Sequence, residues 1–117
     1  MLRRPEHATD PVAQLLLASC LAFERRFADA VAIYERVAAS SPEHRAVARV
    51  AHARCLVELD RAADGLALLG GSDDPAICDA RAFALERLGR MQEAAREHDK
   101  IAAIAARRSD VRVGSIG

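Results

Sequence analysis

Residues 17–42 read LASCLAFERRFADAVAIYERVAASSP, and their apolar positions recur at steps of three and four residues. This spacing places apolar side chains on one face of an α-helix. The phase of the pattern shifts near Arg25 and Arg26, so the stretch contains two helices rather than one. The side chains that share a face are Leu17, Ala18 and Leu21 in the first helix, and Phe27, Ala30, Tyr34 and Val37 in the second.

Helix start signals divide the rest of the chain in the same way. Asp10-Pro11, Ser41-Pro42 and Asp74-Pro75 each place a capping side chain before a proline at the first helical position. Gly70-Gly71 is a stop signal ahead of the third of these starts. The pattern predicts flexible segments at 1–10 and 108–117, and six helices at about 11–24, 27–40, 43–59, 62–69, 75–88 and 91–107.

Composition favours a single all-α domain. A chain of 117 residues is long enough for one hydrophobic core. Apolar residues make up 51% of the chain and charged residues 29%, which favours folding over disorder. Because aromatic residues make up only 3%, the core must consist mainly of Ala, Leu, Val and Ile, and Ala and Leu are strong helix formers.

The three pairs of predicted helices resemble the tetratricopeptide repeat, a helix–turn–helix unit of about 34 residues. The motif residues are Leu17-Ala18, Leu21, Phe27, Ala30, Tyr34 and Pro42 in the first unit, Ala53, Leu56, Leu59, Ala62 and Leu69 in the second, and Ala82, Leu85, Leu88-Gly89-Arg90, Met91 and Glu93-Ala94 in the third. The resemblance covers 11–107, with repeats at about 11–42, 46–70 and 75–107. It implies an all-α fold in which three tandem repeats form a short right-handed solenoid with a concave groove.

Several positions depart from this motif. Gly65 stands where the motif has Ala, and Cys78 stands where a large aromatic residue is common. His52 and Arg81 replace a usual Leu. The second helix of the middle pair, which ends at Leu69, is also short, so the resemblance predicts a stack that bends away from a regular superhelix.

The resemblance also assigns a binding groove, because the first helix of each pair lines the concave face in tetratricopeptide proteins. The groove is expected to be apolar in its first two units and mixed in charge in the third. If the helices pack flatter, Val12, Leu15, Val47 and Val50 are instead ordinary core residues. The groove positions in this sequence are Val12, Leu15, Leu16, Ser19, Phe23, Val47, Val50, Ala51, Arg54, Val57, Phe83, Glu86 and Arg87.

An apolar groove of this kind implies a protein–protein interaction module. The expected ligand is an amphipathic or apolar helical segment of another protein, held by a small adaptor or chaperone. Since an open apolar patch favours association, self-association is a further expectation. Small three-repeat chains with such a groove resemble the co-chaperones of bacterial type III secretion, which is a more specific hypothesis for the same surface.

Other functions find little support in the sequence. A net charge of zero and the absence of Trp argue against nucleic-acid binding. No apolar run approaches the ~18 residues that a membrane span requires. The chain contains no metal-binding motif, phosphate loop or nucleophile beside a base, so neither a cofactor, a metal nor an enzymatic activity is expected. The expected location is the bacterial cytoplasm.

The cysteines allow two interpretations. Cys20, Cys55 and Cys78 are odd in number and lack paired spacing, which predicts three reduced thiols buried as small apolar side chains. Alternatively, Leu17-Ala18-Ser19-Cys20 resembles the cleavage site of a bacterial lipoprotein signal, and Cys20 would then anchor a periplasmic assembly factor to lipid. The acidic residues Glu6 and Asp10 precede this site, and its apolar stretch is short, which argues against that reading.

Overall fold

The computed structural model describes the backbone of residues 10–116 and the side chains of residues 10–109. Over this part of the chain the fold is entirely helical, as predicted, and contains six α-helices and no strand. The helices are α1 (Pro11–Phe23), α2 (Phe27–Ser40), α3 (Arg45–Glu58), α4 (Ala62–Leu69), α5 (Pro75–Arg87) and α6 (Met91–Ile116). The predicted flexible segment 1–10 lies outside the described residues, apart from Asp10.

Side-chain caps start α1 and α5 as predicted. The Asp10 carboxylate accepts a hydrogen bond from the amide of Val12 at 3.0 Å, and the Asp74 carboxylate accepts one from the amide of Ala76 at 2.9 Å. Ser41 differs, because its hydroxyl contacts Nδ1 of His44 at 2.8 Å and caps no amide. A single 3₁₀ turn over Pro42–His44 therefore precedes α3, which begins two residues later than predicted.

The three turns that join α1 to α2, α3 to α4 and α5 to α6 have the same geometry. In each turn one residue adopts a left-handed conformation, and these residues are Arg25 (φ 65°), Asp60 (φ 66°) and Gly89 (φ 78°). The next amide donates a hydrogen bond to a leucine carbonyl five residues earlier, at 2.8–2.9 Å, in the pairs Arg26–Leu21, Arg61–Leu56 and Arg90–Leu85. The same arginines pair with a carboxylate three residues later, in Arg26–Asp29, Arg61–Asp64 and Arg90–Glu93.

The core forms a chain of clusters between neighbouring helices. Each helix packs against the next one, and α3 packs against α5 as well. Small residues dominate, which lets the helices approach closely. The largest cluster joins α1, α2 and α3 and contains Ala18, Ala30, Ile33, Tyr34, Val37, Ala48 and Cys55. Further clusters join α3 to α4 and α5 (Ala53, Leu69 and Ala80, then Val57, Ala62 and Ala84) and α5 to α6 (Ala82, Leu85 and Ala94).

Gly65 lies where α4 crosses α3 most closely. A Cβ atom at this position would lie 2.7 Å from the backbone carbonyl oxygen of Ala53. This distance is shorter than van der Waals contact, and the backbone oxygen cannot turn aside as a flexible side chain would. The departure from the motif's Ala therefore allows the two helices to pack closely.

We expect Gly65→Ala to lower the free energy of unfolding by about 1–3 kcal/mol, because it forces the packed helices apart. The direction of this change is informative, because helix propensity alone would make the alanine variant more stable than the glycine chain by about 1 kcal/mol. Urea unfolding measures the change. Ala63→Gly, at an exposed position of the same helix, is the control for propensity alone. A Gly65→Ala chain more stable than the native one would contradict the close approach.

Arg81 is a buried charge that joins three segments of the chain. Its residue surface is only 6% exposed. The guanidinium lies 2.9 Å from the Glu97 carboxylate on α6 and donates a hydrogen bond to the carbonyl of Gly70 at 2.8 Å. A weaker contact reaches the sulfur of Cys78 at 3.5 Å. The arginine that replaces the motif's Leu therefore ties α5 to α6 and to the end of α4.

Acid is expected to destabilise the fold through Glu97 and His52. Burial opposes ionisation of Glu97, but the hydrogen bond and charge of Arg81 outweigh it and hold the pKa of Glu97 below its usual value. Burial also lowers the pKa of His52, although Glu35 opposes this effect. Both groups bind protons more readily in the unfolded chain.

Stability should therefore fall as the pH drops below about 6.5 through His52, and further below about 4.3 through Glu97. Urea unfolding across this range checks the prediction, and His52→Gln should remove the upper part of the decline. A flat profile between pH 7 and pH 4 would contradict it.

The last helix is longer than predicted. The apolar period weakens after about residue 107, but α6 continues to Ile116. No Gly or Pro occurs between Met91 and Val113, and Ala and Arg are strong helix formers. Backbone propensity therefore extends the helix into the segment that the apolar pattern assigned to a flexible tail.

Candidate functional site

The larger cavity of the site lies between the first halves of α3 and α5. We call it the upper cavity, and its volume is about 550 Å³. Its walls are mainly apolar, and the polar groups Arg54, Ser72 and Asp74 lie among them. This size falls within the range of ligand pockets in proteins. The lining residues are Ala46, Val47, Val50, Ala51 and Arg54 from α3, Ser72 and Asp74 from the loop before α5, and Ala76 and Ile77 from α5.

A second cavity follows along the same helix. This lower cavity has a volume of about 250 Å³ and shares Ala51 and Arg54 with the upper one. It is lined by residues from the first pair of helices as well as from α3 and α5. The two cavities therefore form one interrupted groove along α3. The lining residues are Ala22, Phe27, Tyr34, Ala51, Arg54, Cys55, Glu58 and Phe83.

Two arginine side chains flank the Phe83 ring of the lower cavity. The guanidinium of Arg54 lies 5.6 Å from the centre of the Phe83 ring, and that of Arg87 lies 5.2 Å from it, both within range of a cation–π interaction. Arg54 also pairs with Asp79. The Glu58 carboxylate is shared between Arg87 at 3.5 Å and Arg25 at 3.7 Å. These pairs position the arginines at the lower cavity while leaving them partly exposed.

The structure brings together five of the predicted groove residues. Val47, Val50, Ala51 and Arg54 line the upper cavity, and Phe83 joins the last two of these in the lower one. Arg87 and Glu86 lie at the end of α5, where Arg87 contacts Phe83 and Glu86 faces His98 at 3.3 Å.

The other predicted groove residues lie elsewhere. Val57 is only 1% exposed and packs with Ala62 and Ala84, so it belongs to the core and offers no surface to a partner. Leu15 is half-buried against the largest core cluster, and Val50, although it lines the upper cavity, is half-buried against the cluster of Ala53, Leu69 and Ala80, so the alternative interpretation as core residues agrees with these two positions. Ser19 is exposed and forms a side-chain hydrogen bond with Tyr34, whose pKa is raised by burial. The exposed side chains Val12, Leu16 and Phe23 are on α1, outside both cavity linings.

Sequence reasoning missed the contribution of α5 to the upper cavity. Ala76 and Ile77 follow Pro75 in the first turn of α5, and Ile77 is the only large apolar residue of that turn. An isolated large apolar residue at a capped helix start was the sequence feature that could have indicated this contribution. Phe27 and Tyr34 of the lower cavity were assigned only to packing, whereas they also form part of its wall.

The cysteines differ from the prediction of three buried thiols. Cys55 and Cys78 are buried, whereas Cys20 is exposed on α1. Burial raises the pKa of both buried thiols, so they remain protonated and unreactive.

We expect a thiol reagent such as Ellman's reagent to label Cys20 rapidly in the folded protein and the other two only after denaturation. The absorbance of the released product counts the reactive thiols. Cys20→Ser should abolish the rapid phase without affecting the slow one. Rapid labelling of a further thiol in the folded Cys20→Ser chain would contradict the buried positions.

Neither a metal-binding cluster nor a membrane-spanning helix occurs in the described part of the chain. Within residues 10–109, no group of three or more His, Cys, Asp or Glu side chains is arranged to hold a metal ion. No helix in the described part of the chain is both long and apolar enough to cross a membrane. Comparison of the chain with models of protein families, with curated proteins and with solved structures finds no match.

Proposed function

We propose that this chain is a protein–protein interaction module of the tetratricopeptide type. In this proposal three tandem helix pairs form a short right-handed solenoid, and the groove along α3 is its concave face. The three identical turns at Arg25, Asp60 and Gly89 support a repeat, because the same hydrogen bonds close each pair. Binding, rather than catalysis, is the activity, and the proposed location is the bacterial cytoplasm.

The observation that carries the proposal is the interrupted apolar groove along α3. Its two cavities share Ala51 and Arg54, so they lie within one to two helical turns of each other. An amphipathic helix lying along α3 can place large apolar side chains into both when these are spaced i and i+4 or i+7. The small adaptor or chaperone of this proposal would shield such a helix from water. A co-chaperone of type III secretion is a specific form of the same proposal.

Arg54 adds a charge preference to the proposed ligand. It lies between the two cavities and its side chain is 41% exposed. Asp79 already pairs with this guanidinium, so an acidic side chain between the two apolar anchors of the ligand would share it with Asp79, and charge complementarity of this kind favours one partner over another. The proposed partner helix is therefore apolar at its anchors and acidic between them.

Affinity capture from the source organism tests the proposal with two matched variants. Val47→Glu places a charge at an exposed position of the upper cavity, and Ala32→Glu places the same charge at an exposed position of α2. Circular dichroism first establishes that both variants remain helical. We expect the native chain and Ala32→Glu to retain the same helical protein, and Val47→Glu to lose it. Equal capture by all three chains would exclude the groove as the binding surface.

A further inference from the structure

Helix α1 presents an apolar surface to solvent. No charged side chain occurs from Pro11 to Phe23, whereas every other helix carries at least one. Four large apolar side chains of α1 are exposed to solvent. These are Val12 (51%), Leu16 (64%), Leu17 (54%) and Phe23 (90%). A surface of this kind on a folded protein marks an interaction site.

The exposed positions follow the spacing of a helix-pairing seam. Val12, Leu16, Ser19 and Phe23 are separated by four, three and four residues, which places them along one side of α1. Cys20 lies beside Ser19 on this side and is also exposed. The seam runs from Val12 to Phe23, and its eleven helical steps cover about 16 Å. It does not include any residue that lines the two cavities along α3.

We propose that a second copy of this chain covers the seam, with the two α1 helices packed antiparallel. In this arrangement Val12 of one copy lies opposite Phe23 of the other, and Leu16 lies opposite Ser19 and Cys20. A residue that is small in one copy then meets one that is large in the other, as close packing requires. The dimer is a property separate from the groove and does not depend on the partner proposed above.

Charge at the two ends of α1 favours the antiparallel orientation. Asp10 is exposed at the start of the helix, and Arg25 follows its end with a side chain that is 73% exposed. Antiparallel packing brings Asp10 of each copy towards Arg25 of the other, whereas parallel packing brings like charges together. The helix dipoles also oppose each other in the antiparallel pair.

The area of the seam sets the strength of the dimer. Phe23 alone offers on the order of 150 Å² or more, and the three large apolar side chains of the seam together offer on the order of 300 Å² per copy. Two copies therefore bury about 600 Å² of apolar side chain, and Ser19, Cys20 and the polar rim add to this. The total stays below the ~1,000 Å² at which a stable specific interface begins, so the dimer is weak and reversible.

Sedimentation equilibrium over a range of protein concentrations tests the dimer. The native chain is expected to pass from monomer to dimer as its concentration rises. Leu16→Glu introduces two buried charges per dimer, and the dissociation constant should rise by on the order of 100-fold. Val47→Glu and Ala32→Glu should leave it unchanged. A native chain that is monomeric at all concentrations, or a Leu16→Glu chain that dimerises as the native one does, overturns the proposal.

Chemical cross-linking tests the orientation of the two helices. In a Cys20→Ser background, Val12→Cys chains are mixed with Phe23→Cys chains and treated with a short bismaleimide. Antiparallel packing predicts cross-links between unlike chains and few between like chains. A predominance of like-chain products overturns the antiparallel arrangement. The Val47→Glu chain should no longer retain the groove partner but should give the same cross-linking pattern. This result would show that the groove and the dimer are independent of each other.

Discussion

Replacing Arg81 by Met is expected to lower the free energy of unfolding by about 3–5 kcal/mol, among the largest effects of any single substitution in the chain. The reason is the charge that remains: the Glu97 side chain is only 12% exposed, and without Arg81 its carboxylate keeps only the more distant Lys100, whose ammonium lies 3.4 Å away on a side chain that is 44% exposed. The carbonyl of Gly70 loses its hydrogen bond from the guanidinium as well. Urea unfolding monitored by far-ultraviolet circular dichroism measures the loss.

Two matched variants separate the buried ion pair from ordinary surface charge. Arg90 and Glu93 form a pair of similar geometry whose side chains are nearly half exposed and screened by water, so Arg90→Met should cost far less stability than Arg81→Met. Arg81→Leu combined with Glu97→Leu removes both charges and should recover much of the stability lost in Arg81→Met. A double variant as unstable as the single one would mean that packing, not the carboxylate left without Arg81, causes the loss.

Tyr34→Ala is expected to produce the second large effect, a loss of about 3–5 kcal/mol. Tyr34 is 4% exposed, and it lies in the cluster that joins α1, α2 and α3. Truncation therefore opens a cavity between the first helix pair and the next one. Urea unfolding measures this loss of stability, at a protein concentration low enough to keep the chain monomeric.

Tyr34→Phe and Phe23→Ala are the controls for this substitution. Tyr34→Phe keeps the ring and removes only the hydroxyl that bonds Ser19, so about 1 kcal/mol should be lost. Phe23→Ala removes a ring that is 90% exposed and should leave the stability of the monomer nearly unchanged. A small loss for Tyr34→Ala, comparable with that for Phe23→Ala, would contradict the central position of this tyrosine.

The helices could be predicted from the sequence because their signals are local. Apolar spacing and the capped prolines located the ends of five helices to within about two residues, and the capping roles of Asp10 and Asp74 are confirmed by their hydrogen bonds. The turn at Arg25 contains neither Gly nor Pro and was located only by the phase shift of the apolar pattern, because a non-glycine residue adopts the left-handed conformation there at a cost of about 1–2 kcal/mol. Ser41 was misassigned because its hydroxyl has a nearer partner in His44.

The candidate site was less predictable, since it depends on contacts between distant parts of the chain. Val47, Val50 and Ala51 could be assigned to one surface because they lie on one face of α3. Whether Val57 is exposed depends on Ala62 and Ala84, which pack over it from other helices. The roles of Arg81 and Cys20 likewise follow from tertiary burial, which the spacing of residues along the sequence does not contain.

The position of α3 between the two halves of the core has a consequence for cooperativity. One side of α3 contributes Ala48 and Cys55 to the cluster with α1 and α2, and the other contributes Ala53 and Val57 to the clusters with α4 and α5. A helix pair of about 35 residues is too small to fold alone. Neither half can therefore open without releasing the helix on which the other half depends. The amide hydrogens of α3 should exchange with solvent only through global unfolding, and more slowly than those of any other helix.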